Sequence, residues 1–332
     1  MRIAHLPFLA CPHCHSPLAL GREERREGDH VMEGSLECAR CPRSFPIRGG
    51  VPRFVPSENY AAGFGFQWNR HAATQLDSVT GLPLTTNRFF NSTRWPRELA
   101  GQTVLEAGCG AGRFTEVVVR TGATLVSLDY SAAVEANFRS NGHHPNLLIV
   151  QGDIYAMPFP ADSFDRVFCL GVLQHTPDVH RSFQQLPRYL KPGGALAVDV
   201  YKRFGFLKQL TITKYWARPF TRGMRPERLY PRVERYVRTL WPMTRWLHRL
   251  PYGRNLNWKL LIADYQGVHP LSPKLLEDWA VLDTFDMLAP AYDDPQTPET
   301  VRRWFSEEGL EAIEIGEGDN GVLGRGRKPM PR

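Results

Sequence analysis

The sequence predicts an α/β protein: a mostly parallel sheet covered on both faces, preceded by a small cysteine-held module and interrupted late by a large insertion. Three observations carry this prediction. Apolar strand-like runs alternate with helical stretches between 103 and 200. Two C-x2-C pairs, CPHC at 11–14 and CARC at 38–41, stand near the N-terminus. The helix and strand pair that would complete such a sheet come only at 297–328, after residues 201–296 have intervened.

The chain has 332 residues, 42% hydrophobic and 23% charged, which suits two or three packed units of an ordinary globular protein. No apolar run approaches the ~20 residues of a membrane-crossing helix. The N-terminus shows no basic segment followed by an apolar stretch, so a cytoplasmic location is expected. In that reducing setting, paired cysteines hold metal more often than they form disulfides. The net charge of +7 is uneven: residues 201–259 carry 15 basic and 2 acidic side chains, whereas 260–332 carry 7 and 14.

Of the cysteines, Cys11 and Cys14 form one pair and Cys38 and Cys41 the other, with 23 residues between the pairs. Two such knuckles match tetrahedral zinc, and four thiolates close its coordination shell, so the ion would be structural rather than catalytic. His13 and His15 lie awkwardly beside the first pair. The stretch GREERREGDHVMEGSLE between the pairs reads as a polar surface loop. Residues 1–56 hold 8 basic and 6 acidic groups, and four thiolates on one zinc bring the module close to neutrality. That is a poor electrostatic grip on nucleic acid.

From residue 103 the elements run in order: TVLEA (strand), a glycine turn, an amphipathic helix, LVSLD (strand), SAAVEANFRSNG (helix), LLIVQGD (strand), FDRVFCLGV (strand), a helical stretch near VHRSFQQLPRYL, a KPGG turn and ALAVDVY (strand). Strands that are apolar throughout belong to parallel sheets buried on both faces, which bind ligands at the carboxyl ends of their strands. Gly108, Gly110 and Gly112 permit a tight turn, but Arg113 occupies the place of the last glycine of a G-x-G-x-x-G dinucleotide fingerprint. Asp129 ends the second strand, where a carboxylate can accept both hydroxyls of a ribose. Asp153 ends the third, where it can accept an adenine amino group.

The stretches VLEAGCGAGRF, SLDYS, QGDIYAMPF, FDRVFCLGVLQHTPD and LKPGGALAVDV closely resemble the successive motifs of class I S-adenosylmethionine-dependent methyltransferases. The resemblance implies a Rossmann-like methyltransferase sheet with S-adenosyl-L-methionine as cofactor. By it, Glu106, Gly108, Gly110 and Gly112 hold the amino-acid part of the cofactor; Asp129, with Tyr130 beside it, the ribose; and Asp153 and Ile154 the adenine. Leu170 and Gly171 form the floor under the methionine. The flanks LACPHCHSPL and LECARCPRSFPIRGGVPRFV resemble the small zinc-ribbon proteins that activate several methyltransferases. A zinc module before a methyltransferase is also similar to the large-subunit rRNA guanine-N1 methyltransferases, although those tend to carry a histidine where this chain has CARC.

Methyl transfer from a sulfonium needs alignment first, and a general base only where the acceptor must lose a proton. His175, in LQHTPD just after the fourth strand, is the candidate base; the competing reading is a histidine that shapes the cleft. LGVLQH stands where adenine amino-methyltransferases carry Asn/Asp-Pro-Pro-aromatic. Cys109 and Cys169 read as small buried hydrophobes rather than a cytosine-C5 nucleophile.

YAAGFGFQWNRH, 60–71, is a candidate lid, with Phe64, Phe66 or Trp68 closing over cofactor or acceptor; the alternative is a linker packed on the sheet edge. Within the insertion, Leu229, Val233, Tyr236, Val237 and Leu240 share a helical face, and Met243, Trp246, Leu247 and Leu250 continue an apolar stripe past Pro242. Arg228, Arg232, Arg235 and Arg238 lie off that face. They would be solvated, bind an anionic substrate or RNA, or bring 228–250 to a membrane surface. WAVLDTFDMLAPAYDDPQT, 279–297, has little periodicity and reads as a loop near the cleft; Tyr201, Asp286 and Tyr292 are candidate substrate or lid residues. TPETVRRWFSEEGL begins at an N-cap Thr297 and stops at Gly309, before the last two strands.

The expected organisation is a zinc ribbon at 1–56, a linker and lid at 57–100, a methyltransferase core at 101–200, a basic cap at 201–296 and the end of the core at 297–332. The expected function is methyl transfer to oxygen or nitrogen of a small molecule or biosynthetic intermediate, because a large cap encloses a site. RNA base methylation is the alternative, and a non-catalytic cofactor-binding module the third reading.

Overall fold

A computed structural model describes residues 1–56 and 59–331; the boundary expected at residue 57 lies outside the described residues. At the N-terminus, β1 (Leu18–Glu27), β2 (His30–Cys38), β3 (Ser44–Arg48) and β4 (Val51–Pro52) make an antiparallel sheet in that order. The polar stretch between the cysteine pairs is therefore a hairpin, not a loop. Most of β1 is solvent-exposed and its register with β2 is repeatedly broken, so the strand carries no apolar alternation to announce it.

The main sheet has seven strands: β5 (Thr103–Ala107), β6 (Thr124–Asp129), β7 (Leu147–Gln151), β8 (Phe164–Cys169), β9 (Leu190–Val200), β10 (Glu311–Gly318) and β11 (Gly321–Arg327). Their order is β10-β11-β9-β8-β5-β6-β7, parallel from β9 to β7, with β11 antiparallel to β9. Neighbouring strand residues enter different cores. Val104, Leu125, Leu147 and Ile149 join one with Phe89, Phe114 and Val117. Leu105, Val126, Leu148 and Val150 join the other with Phe183, Trp304 and Phe305. Both faces are covered, which is why these strands read as unbroken apolar runs. The KPGG turn lies inside β9, where Gly193 has φ 75° and the register with β8 breaks.

The N-terminal module closes the β7 edge. Phe54 N–H donates to the Gln151 carbonyl at 2.8 Å, and the Arg53 guanidinium donates to Gln151 Oε1 at 2.8 Å. Leu9, Val31, Leu36 and Ile47 share one apolar cluster with Leu148, Val150 and Met157, so the two sheets have a continuous core. An edge that would otherwise present unpaired backbone is thereby capped.

Between module and sheet lie α1 (Ala62–Arg70), α2 (Asp77–Thr80) and α3 (Leu84–Thr93); α4 (Arg113–Val119), α5 (Val134–Asn141), α6 (Val179–Gln185) and α12 (Pro298–Glu307) belong to the core. Between β9 and α12 come α7 (Phe206–Gln209), α8 (Lys214–Thr221), α9 (Pro226–Leu247), α10 (Gly253–Lys259) and α11 (Pro273–Leu288). This is the cap inserted after the fifth strand of the parallel set. Its core joins Leu229, Val233, Val237 and Trp241 of α9 to Leu276, Val281 and Phe285 of α11.

Two sequence expectations fail here. The 279–297 stretch begins in the helix α11, not a loop: it is buried on most sides, so it has no polar face to set a period. The stripe past Pro242 does not stay inside, since Met243, Trp246 and Leu250 are exposed while Trp241 and Thr244 turn inward. Helix α9 runs unbroken through Pro231 and Pro242, both on its exposed side.

Candidate active site

The turn from β5 to α4 is shaped by its glycines, each with positive φ. A Cβ at Gly108 would run into Val172, and one at Gly112 into Asn137, so these two permit close packing. A Cβ at Gly110 would instead rest in ordinary van der Waals contact with the Trp68 indole, at 3.4 Å. The Gly110 N–H donates to Asp129 Oδ2 at 2.8 Å, while Asp129 Oδ1 accepts from the Ser131 amide and hydroxyl. Burial raises the Asp129 carboxyl above its ordinary value, against those hydrogen bonds.

Beneath this loop Glu106 is buried. Its Oε2 accepts from Thr115 and Ser127, at 2.5 and 2.7 Å, whereas Oε1 has no partner among the described residues. Burial pushes its pKa up to about 7. An unpartnered buried carboxyl oxygen beside a glycine turn fits a cationic ligand group. Tyr130 stacks on Tyr60 at 4.8 Å, and Asp153 Oδ1 accepts the Tyr155 N–H at 2.9 Å. Burial raises Asp153 as well. Ile154 and Leu170 are buried, and the Gly171 amide donates to Asp199, which is paired with Arg88 at 3.1 Å.

On the cap side, His175 is 7% exposed. Its Nδ1 lies 3.0 Å from the Tyr292 carbonyl, which only accepts, so the neutral ring carries its proton on Nδ1 and a lone pair on Nε2. Phe64 lies 5.2 Å away by ring centroid and Tyr201 5.3 Å. Burial lowers the His175 pKa, opposed by Asp286 and Asp293. The Tyr201 hydroxyl donates to Asp286 at 3.3 Å, and Gln67 reaches the same carboxylate at 3.4 Å.

Of the expected lid residues, α1 thus brings Phe64 to His175 and Trp68 to Gly110. Phe66 goes elsewhere: it packs on Tyr230 and Phe285 in the cap core, because alternate positions of a helix face different ways. The main apolar face of α9 turns inward, onto α11.

Residues missed from sequence include Tyr60, Gln67 and Arg113. Asp283 accepts from Tyr265 and Gln75, and burial together with neighbouring Asp286 pushes its pKa to about 7. Burial brings Arg113 down to about 9. Arg113 could have been flagged, since it occupies the place of the absent glycine. Clefts of about 320 Å³, between Tyr215, Arg218, Tyr292 and Asp293, and about 120 Å³, between Tyr60, Phe64, Gln67 and Ala291, adjoin this region.

In the N-terminal module the Sγ atoms of Cys11, Cys14, Cys38 and Cys41 all lie within 4.8 Å of one another, with Cys11–Cys41 and Cys14–Cys41 at 3.7 Å. Thiolates ~2.3 Å from a tetrahedral zinc stand about 3.8 Å apart, so the set fits that ion. The Arg40 and Cys41 amides point at Cys38 Sγ at 3.4 Å, an arrangement suited to a thiolate.

Residues 105–198 match the methyltransferase domain family, and residues 2–50 match the Trm112p-like protein family. The chain is 37% identical over 103 residues to a sterol 24-C-methyltransferase of Pneumocystis carinii, covering 29% of this chain and 27% of that protein. It is 31% identical over 131 residues to a ubiquinone biosynthesis O-methyltransferase of Xanthomonas oryzae, covering 38% and 55%. The chain therefore spans between about a quarter and about half the length of these relatives. Among solved structures, a complex between the Haloferax volcanii Trm112 methyltransferase activator and a methyltransferase aligns with 83% of this chain and 99% of that one, at 15% identity and a TM-score of 0.46. Residues 105–198 thus carry a methyltransferase domain, and residues 2–50 a Trm112p-like module.

Proposed function

We propose that this protein transfers the methyl group of S-adenosylmethionine to an oxygen or nitrogen of a small-molecule or biosynthetic intermediate enclosed between α1, Tyr201 and the 286–293 segment. The observation that carries this reading is the burial of His175 with Nδ1–H held by Tyr292, which leaves Nε2 free to accept a proton. The cofactor supplies an activated methyl on a sulfonium, so the protein contributes alignment and a dry site. Glu106 and the Gly110 turn would hold the amino-acid end, Asp129 the ribose, and Asp153 with Ile154 the adenine. His175 Nε2 would accept the proton that the acceptor oxygen or nitrogen loses on methylation.

The enclosed His175 supports a small acceptor over a base within folded RNA, which would have to be flipped into a covered chamber. The RNA reading draws on the exposed row Arg228, Arg232 and Arg235 of α9; it predicts tight, steeply salt-dependent RNA binding that is lost when these arginines are neutralised. The four N-terminal thiolates would hold one structural zinc, which suits a reducing compartment such as the cytoplasm. No helix among the described residues is long and apolar enough to cross a membrane.

Native mass spectrometry tests the assignment. The expected result is one zinc per chain and a mass increase of one S-adenosylmethionine on its addition. A chain that takes up no cofactor, or whose calorimetric affinity is unchanged in Asp129→Ala, would overturn the cofactor assignment.

A further inference from the structure

Helix α8 is inverted. Its charged residues Lys214 and Arg218, four apart, face the protein: Lys214 pairs with the buried Asp293 at 2.7 Å, and Arg218 donates to the Pro290 carbonyl at 2.9 Å. Its large apolar residues, also four apart, face solvent: Trp216 is 65% exposed and Phe220 77%. The preceding helix α7 and its C-cap add Phe206 at 77%, Leu207 at 80% and Leu210 at 48%. The two helices form one patch, because the Trp216 indole N–H donates to the Leu210 carbonyl at 3.0 Å. A monomeric protein rarely leaves five large apolar side chains together in water.

The surroundings are cationic. Residues 201–226 contain seven Lys and Arg and no Asp or Glu; Lys202, Arg203, Lys214 and Arg218 pair with Glu317, Asp294 and Asp293 from later in the chain, which leaves Lys208, Arg222 and Arg225. Lys208 lies over the Phe204 ring at 4.0 Å. Arg222 and Arg225 are exposed, with no acidic partner among the described residues. The inner face of α8 cannot be turned outward to hide the patch, since its ion pair and carbonyl bonds hold the helix in this rotation.

We propose that the α7–α8 face docks on an anionic lipid bilayer, with Phe206, Leu207, Leu210, Trp216 and Phe220 entering the headgroup boundary and Lys208 and Arg225 meeting lipid phosphates. Charge and shape both favour this occupant. Phe206, Trp216 and Phe220 could stack bases, but the exposed Leu207 and Leu210 among them could not, and a mixed aliphatic and aromatic face with a basic rim is the composition of interfacial helices. The other side of α8, through Tyr215 and Arg218, with Arg222 just beyond its end, lines the 320 Å³ cleft shared with Tyr292 and Asp293. Docking is thus placed on the far side of a helix that borders the candidate acceptor region, and it does not depend on the methyl-transfer reading.

The test is co-sedimentation of the full chain with phosphatidylcholine vesicles, with and without phosphatidylglycerol, alongside a structured RNA and a sedimentation-velocity series over protein concentration. The expected result is binding to the phosphatidylglycerol vesicles at least about tenfold above the neutral ones, with a blue shift of tryptophan fluorescence. Leu207→Ser with Phe220→Ser should weaken it by about tenfold while leaving zinc content, cofactor binding and circular dichroism unchanged. Vesicle binding that survives this double change overturns the assignment. So does absence of vesicle binding, or a double variant whose effect falls on RNA binding or on self-association instead.

Discussion

His175 and Tyr292, 117 positions apart, are joined by a hydrogen bond of 3.0 Å from the ring Nδ1–H to the backbone carbonyl. This bond ties the end of the parallel sheet to the cap and selects the tautomer that presents Nε2 as an acceptor. Burial lowers the imidazole pKa below its ordinary 6.5, and the structure favours the neutral ring. The histidine C–H resonance of His175 should therefore titrate below pH 6.5. This site stabilises the fold above 6.5 and loses that contribution as pH falls through the folded value. His175→Gln should cut methyl transfer by about 10²–10⁴ while leaving cofactor affinity within twofold. A full rate in that variant would remove the base role.

Asp129 serves the glycine turn and, in our reading, the ribose. Asp129→Ala should lose ~1.5–3 kcal/mol of cofactor binding, the usual worth of a charged hydrogen bond, or about ten- to a hundredfold in Kd by calorimetry. Asp129→Asn keeps an acceptor for the Gly110 amide and should fall between the two.

Glu106 is raised by burial to about 7 and has one oxygen without a partner among the described residues. A carboxyl raised in this way stabilises the folded protein below its unfolded pKa, and that contribution fades as pH rises from about 4.5 through 7. A cationic cofactor group beside it would favour ionisation. Binding at pH 6.5 should then release a fraction of a proton, read from calorimetry in buffers of different ionisation enthalpy. Glu106→Gln should abolish that release.

Metal removal should act on the module that caps β7. Structural zinc is worth roughly 10–16 kcal/mol in small peptide sites, so strong chelation or Cys38→Ser should unfold residues 1–56. Hydrogen exchange would report the loss at the Phe54 amide, now donated to Gln151. If neither stability nor exchange changes after zinc is stripped, the structural assignment is wrong.

Gly112 has φ 91°, and a Cβ there would meet Asn137 and Asn141. Gly112→Ala should destabilise the protein by about 1–3 kcal/mol through backbone strain alone, more with the clash, seen as a lower Tm. Gly110→Ala has room beside Trp68, so its stability cost should be smaller and its effect on cofactor binding larger.

The parallel sheet was legible because each strand is apolar on both faces, and the four cysteines because metal geometry demands short pairs. The placement of α1 was only half legible. Its aromatics were visible, but their division between site and cap core depends on helix rotation. Helix α11 was hidden because burial all round removes the polar face that sets a period. Gln67 and Gln75 were hidden because nothing local marks a polar residue that tertiary contact will bury.

The sequence by itself determined the glycine turn, the acids at the strand ends and the thiol pairs, all of them local patterns dictated by backbone or metal geometry. Only the tertiary structure decided that Tyr292 orients His175, that the N-terminal module closes the β7 edge, and that α8 faces the protein with its charges and the solvent with its rings. Each of these joins residues far apart in the chain, and a one-dimensional pattern cannot say which face of a helix or which edge of a sheet will find a partner.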